Sequence, residues 1–226
     1  MHFPSLDMRD PVFDAYGLSL SVQVVTFENL YGVDPAQTSA RFEGQAFVVR
    51  SAGLAWAGQR EKAPGAVLLR VRPEGSGRFR VHVRAKAPEA IRCTKLLVRG
   101  LAAPLAWVDE SGLRPVAPLG ESLAYPHQLG APLVCLRAGD ETLGVRVEDA
   151  RVREKRFAAS LERVGERAGQ GVLEVICEEG GPRPSRELEA PPVLIRRGAA
   201  REALLAEHEA FARGAYGGRS ESSCRG

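Results

Sequence analysis

Four doublets of adjacent acidic residues carry the most obvious acid–base chemistry in this chain. They are Asp109–Glu110, Asp140–Glu141, Glu148–Asp149 and Glu178–Glu179. Glycoside hydrolysis needs two carboxyl groups that face one glycosidic bond from separate elements. Neighbouring residues on a strand point to opposite faces of a sheet. Each doublet is therefore interpreted as a turn or a strand end, and no residue is predicted to be catalytic.

Motifs for nucleophilic, phosphate and metal chemistry are missing from the sequence. The segment "GESLA" at 120–124 lacks the second glycine of a nucleophile elbow, and "PEGSG" at 73–77 has neither the spacing nor the lysine of a phosphate loop. The histidines are far apart and share no metal-ligand spacing; they are His2, His82, His127 and His208. We therefore expect neither a metal nor a cofactor.

The cysteines indicate buried thiols rather than zinc ligands or redox pairs. They are Cys93, Cys135, Cys177 and Cys224, and no two of them are close in sequence. Cys135 and Cys177 lie in apolar, strand-like patterns ("PLVCLRA" and "VLEVICEE"). Cysteine packs as a small hydrophobic residue in such surroundings.

Cationic and aromatic side chains are the candidates for ligand binding. One alternating run places Arg78, Arg80, His82 and Arg84 on a single face of a strand, where they could bind a polyanion. A solvated outer sheet face is the favoured interpretation, because 31 basic residues are nearly balanced by 28 acidic ones. That balance also argues against a nucleic-acid partner.

Exposed aromatic rings could stack on the apolar faces of sugars. Trp107 sits in the apolar run "PLAWV" and is predicted to be core. Trp56, Tyr125 and His127 stand near predicted loops and are candidate carbohydrate contacts.

Alternating strand patterns dominate the first 197 residues, with turns rich in glycine, proline and aspartate. The runs on either side of "PEGSG" predict a hairpin whose Phe79, Val81 and Val83 face the core. About a dozen strands without a helical period predict an all-β fold, a large antiparallel β-sandwich. The sequence contains no run of 18 apolar residues, so no membrane span is predicted. The first ten residues do not resemble a signal peptide, so the default expectation is a cytoplasmic location without a membrane partner.

One amphipathic helix is predicted over Ala199–Arg213, with Gly214 as its stop. Ala200, Leu204, His208 and Phe211 form a stripe of 3.6-residue period. Leu204 and Phe211 are therefore expected to dock on the sandwich, whereas Leu205 lies about 100° away around the helix.

Two stretches resemble a known family. Tyr125 to Phe157 is similar to a segment of large glycoside-hydrolase-like proteins, in which a Tyr-Pro loop precedes a strand, a Gly-rich turn, a strand reading Leu-Gly-x-x-x-x-Asp and then a lysine. Here the aspartate is Asp149 and the lysine is Lys155. The stretch from Ala190 to Gly218 resembles the linker that leads from the N-terminal β-supersandwich of such enzymes to a (β/α)-barrel.

The resemblance implies a galactose-mutarotase-like supersandwich over 1–197, a linker helix over 198–214 and a disordered tail over 215–226. It also implies that the catalytic barrel, which needs about 250 residues, is the partner domain missing from this chain. The chain would then be a non-catalytic accessory domain, with Asp149 added to the candidate carbohydrate contacts. A stand-alone module for polysaccharide or polyanion is the alternative. A further alternative is a mutarotase-like epimerase that uses His82 or His127 with a glutamate as its acid and base.

Overall fold

The computed structural model describes residues 10–75, 77–151, 153–163, 165–178, 185–198 and 200–216. Within these ranges the chain forms sixteen β-strands and one α-helix. The strands are Phe13–Ala15 (β1), Leu18–Thr26 (β2), Leu30–Val33 (β3), Thr38–Glu43 (β4), Ala46–Trp56 (β5), Glu61–Pro73 (β6), Arg78–Leu101 (β7), Leu105–Asp109 (β8), Gly112–Pro115 (β9), Glu121–Tyr125 (β10), Leu133–Ala138 (β11), Glu141–Val147 (β12), Lys155–Leu161 (β13), Gly171–Glu178 (β14), Ser185–Glu189 (β15) and Val193–Arg197 (β16). The helix is Arg201–Tyr216 (α1).

Every strand pairing among the described residues is antiparallel, and the strands form two layers joined through β7. The first half of β7 pairs with β6, β15 and β16, and the second half pairs with β2 and β14. The first layer runs β4-β5-β6-β7-β16-β12-β11-β8-β9. The second runs β1-β2-β7-β14-β13-β10, and β3 joins β2 to β5. The predicted all-β sandwich is confirmed.

The core lies between the two layers and follows from the alternation of the strands. In the first layer, one inward row is built by Val71, Val81, Val193 and Val147, which are register partners on four adjacent strands. All four are buried, and they belong to one continuous core with residues of the second layer such as Phe157. The predicted inward face of Phe79, Val81 and Val83 is confirmed, because period two places alternate side chains on one face of a sheet.

The hairpin predicted at "PEGSG" joins β6 to β7. The Glu74 amide donates to the Arg78 carbonyl at 2.8 Å. Gly75 and Gly77 adopt φ values of 106° and 66°, a region that disfavours residues with a Cβ. Trp107 is buried, as expected of a core residue, and the thiols of Cys93, Cys135 and Cys177 are free and buried. Cys224 lies outside the described residues.

Helix α1 differs from its prediction at both ends. It begins at Arg201 and continues through Gly214 to Tyr216, so the prediction that Gly214 stops the helix is wrong. Glycine in a helix interior costs only about 1 kcal/mol of helix stability relative to alanine. This penalty is too small to end the helix at Gly214. Residues 217–226, which include most of the predicted disordered tail, lie outside the described part of the chain.

Candidate functional site

Two of the four predicted carbohydrate contacts meet at one buried lysine. Tyr125 ends β10 and is the register partner of Lys155, the first residue of β13. The Lys155 ammonium lies 5.8 Å from the centroid of the Tyr125 ring. Asp149 accepts a hydrogen bond from the same ammonium. Tyr125 and Asp149 therefore belong to one cluster, which the strand that begins at Lys155 positions.

Lys155 is only 1 % exposed, and all of its donors are used. Its ammonium donates to Asp149 and to the backbone carbonyls of Arg153 at 2.7 Å and Arg151 at 3.3 Å. Asp149 in turn accepts hydrogen bonds from the Arg153 guanidinium at 2.8 and 3.1 Å and from the Arg151 amide at 2.9 Å. An ammonium has three donors, and all three of these go to the loop before β13. Lys155 therefore fastens this loop to the inner face of the sandwich.

The electrostatics of this cluster favour a fixed ion pair. Burial lowers the pKa of Lys155, and the hydrogen bond to Asp149 opposes that shift. Burial works against ionisation of Asp149, but hydrogen bonds from Arg153 and Lys155 outweigh it and lower the pKa of the carboxyl. Cys177 lies opposite Lys155 on β14, and burial raises the pKa of its thiol to about 12. The cluster therefore holds a carboxylate, an ammonium and an un-ionised thiol at neutral pH.

Trp56 and His127 lie away from this pair. Trp56 ends β5 in the first layer and is 37 % exposed. His127 is exposed in the turn after β10. Within the described ranges, no hydrogen bond or ring contact connects either of them to Asp149 or Lys155. The four candidates therefore do not form one cleft: two belong to a buried ion pair, and two are available at the surface.

A groove runs beside helix α1, with a cavity volume of about 380 Å³. Leu204 is 1 % exposed and packs on Cys135 and Val108, on the outer face of the first layer. Leu205 and His208 line the groove and are half-buried. The docking of Leu204 is confirmed, and the predicted offset of Leu205 places it in this groove.

Charged residues fasten the helix to the sheet. Arg146, on β12, is 2 % exposed. It donates to the Glu207 carbonyl of α1 at 3.1 Å and to the Glu148 carboxylate at 2.8 Å. The Phe211 ring lies over the same guanidinium, 5.8 Å from its carbon. Arg196 donates to the Glu207 carboxylate at 2.6 Å. The middle of α1 is therefore held by polar contacts at Glu207, and Phe211, one turn further on, is only half-buried.

The predicted arginine stripe is divided between this network and solvent. Arg80 pairs with Glu74 and Glu148. Arg78 lies 3.5 Å from Glu74 and 3.6 Å from Glu207. Both arginines are half-buried, so the prediction of a uniformly solvated face is wrong at these two positions. The sequence could not show this, because Glu148, which directly follows β12, and Glu207 of α1 reach the stripe from far along the chain.

The histidines do not assemble an acid–base pair. Burial lowers the pKa of His82, and the charge of Arg80 adds to this shift. Burial and the nearby Arg146 also lower the pKa of His208. In the part of the chain that the structure describes, no hydrogen bond joins His82 or His127 to a glutamate.

Two further properties are set by the described residues. No three histidine, cysteine or acidic side chains among them are grouped so that they could hold a metal ion. None of their helices has the length and apolarity needed to cross a bilayer.

No protein-family model matches the chain, and a search of curated proteins finds no match.

Proposed function

We propose that this chain is a non-catalytic β-sandwich domain of a carbohydrate-active enzyme. The observation that carries the proposal is the state of the Asp149–Lys155 pair. Asp149 is the one carboxylate among the predicted site residues. It is buried and ionised, and it accepts hydrogen bonds from the cations Arg153 and Lys155. A catalytic carboxyl group of a glycosidase must reach the glycosidic oxygen or the anomeric carbon. Asp149 instead serves the structure of its loop.

Carbohydrate contact is assigned to the surface aromatic residues. Trp56 and His127 are both exposed to solvent. Aromatic rings bind the C–H faces of sugars because they combine a flat apolar surface with a polar edge. The resemblance of Tyr125–Phe157 to glycoside-hydrolase-like proteins supports the same class of ligand. The groove beside α1 is the surface we assign to a neighbouring catalytic domain, because that helix resembles the linker of such enzymes.

Two assays test this proposal. The chain should release no chromogenic aglycone from common aryl glycosides above a heat-treated control, and steady release would refute the non-catalytic assignment. Affinity electrophoresis through gels that contain neutral polysaccharides tests carbohydrate contact. Retardation should be reduced by Trp56→Ala and unchanged by Leu119→Ala, a control at a residue that is 80 % exposed. Equal mobility of all three proteins in every gel would refute carbohydrate binding through Trp56.

A stand-alone module for an anionic polysaccharide is the second candidate. It is favoured by an excess of cationic side chains on the outer face of strands β4, β5, β6, β7 and β15.

A further inference from the structure

Positive charge is concentrated on one outer surface, formed by β4, β5, β6, β7 and β15. We call it the basic face. It is defined by six exposed cationic residues, Arg41, Arg50, Arg70, Arg72, Arg84 and Lys86, and by three acidic residues, Glu43, Glu187 and Glu189. Six cations against three carboxylates give these residues a local excess of +3, which lies where an anion could approach it.

The carboxylates of the basic face are shared among too many cations to neutralise them. Glu43 accepts two hydrogen bonds from Arg50, at 2.5 and 3.1 Å. The same carboxylate lies 2.9 Å from Arg41 and 3.9 Å from Arg70. These bonds, first from Arg50 and then from Arg41, lower the pKa of Glu43 to about 2. The carboxylate therefore stays ionised at any ordinary pH and still leaves a surplus of guanidinium charge around it.

The same pattern recurs on the neighbouring strands. Glu187 lies 2.9 Å from Lys86 and 3.5 Å from Arg84. Arg84 is 62 % exposed on its side chain, and Arg50 is 45 % exposed. Exposed ion pairs contribute little to stability, about 0–1 kcal/mol. An incoming anion could consequently compete for these guanidiniums at small cost to the fold.

A shallow trough lies between these cations, with a cavity volume of about 350 Å³. Its floor includes Leu68 and Ala66 of β6. Arg50 on β5 and Arg84 on β7 are both register partners of Leu68. They therefore flank an apolar floor from two strands apart, a separation of roughly 10 Å at the usual strand spacing.

We infer that this trough binds an acidic polysaccharide, with its carboxylate or sulfate groups paired to Arg50 and Arg84 and a sugar ring over Leu68. The fork of a guanidinium can donate two hydrogen bonds to two oxygens of a planar carboxylate or of a tetrahedral sulfate. The apolar floor suits the C–H face of a ring, and the open trough suits a chain that continues beyond it. The inference rests on the proposed function in taking carbohydrate as the ligand class, and it names the charge and location of the binding site.

Nucleic acid fits this surface less well. Single strands bind on aromatic platforms that stack with the bases, and among the residues that the structure describes no aromatic one lines the trough. Duplexes are bound by a larger excess of positive charge than +3.

The experiment is affinity electrophoresis and titration calorimetry of the full chain with polygalacturonate, its methyl-esterified form, heparin and a single-stranded RNA. The unesterified polymer or heparin should bind, and the methyl ester should not. The double variant Arg50→Gln/Arg84→Gln should lose at least tenfold in affinity and lower the salt slope by about two, one per cation removed. Arg213→Gln removes one positive charge, half the change of the double variant, from the far end of α1, where the side chain is 74 % exposed, and should bind like the parent.

Three outcomes would overturn the inference. One is equal binding of esterified and unesterified polymer, and another is equal loss in Arg213→Gln and in the double variant. The third is tighter binding of single-stranded RNA than of either acidic polysaccharide. Thermal unfolding of each variant checks folding. Failure of the proposed function is separate, because it would appear as glycoside hydrolysis or as binding to neutral polysaccharide that is insensitive to Trp56→Ala.

Discussion

Leu204→Ala is expected to release helix α1 from the sandwich. Leu204 is the one α1 side chain that is fully buried among those described, at 1 % exposure against Cys135 and Val108. The substitution removes three carbons, worth about 0.8 kcal/mol each in transfer free energy. A residual cavity adds to this loss. An isolated helix of this length is marginal in water, so we expect about 2–3 kcal/mol, lost mainly as undocking of α1.

Hydrogen exchange of the α1 amides, followed by mass spectrometry, measures this undocking directly. Protection of α1 in Leu204→Ala should fall while protection of β7 stays close to that of the parent. Leu205→Ala is the matched control, because it removes the same three carbons from the adjacent, half-buried position in the groove. Its loss should be about 1 kcal/mol or less. If Leu205→Ala deprotects α1 as much as Leu204→Ala does, the helix is held by its groove side, and our account of its docking is wrong.

Four other results are expected from buried and half-buried polar groups. Glu207→Gln should weaken the hold of Arg196 and Arg78 on α1, because it removes the carboxylate charge that they contact, and proteolysis within the helix should become faster; unchanged cleavage of this variant would show that these ion pairs do not anchor it. Asp149→Asn should cost about 3 kcal/mol in denaturant unfolding, because it leaves the Lys155 ammonium buried without its counter-ion, and a loss below 1 kcal/mol would contradict this. Because the pKa of Asp149 is lowered in the folded chain, its contribution is present above the unfolded pKa and disappears as pH falls through the folded value. Acid destabilisation below about pH 4 should therefore be shallower in Asp149→Asn than in the parent. Burial raises the pKa of Cys93 and Cys135 to about 11 and of Cys177 to about 12, so an aromatic disulfide reagent at pH 8 should label these three thiols only after unfolding in urea.

The strands, the hairpin and the inward faces could be predicted from the sequence because they depend on local patterns. Period-two alternation fixed the inward positions of Val81 and Val83, and the glycines of "PEGSG" marked the turn between β6 and β7. The helix was predicted from its apolar stripe. Its last turn was missed, because one glycine is a weaker stop than the pattern suggested.

The polar contacts could not be predicted because their partners are distant in sequence. Arg146 meets Glu207 across 61 residues, and Arg80 meets Glu148 across 68. Arg146 stands at an alternating position that usually faces solvent, and here it contacts Glu207 and Phe211 of α1. Asp149 and Lys155 were found through a resemblance. That the loop itself uses all the donors of Lys155 could be seen only in the structure.

The length of β7 affects how the molecule folds. This strand of 24 residues pairs with five others, two from the N-terminal part of the chain and three from the C-terminal part. Neither layer can close until β7 is in place, and most of its partners are far from it in sequence. Such non-local pairing predicts slow folding, and it predicts that the two layers unfold in one cooperative transition rather than in turn. A nick on either side of Ile91, where β7 passes from one layer to the other, should therefore unfold both layers together, whereas a nick in the β8–β9 turn should be tolerated.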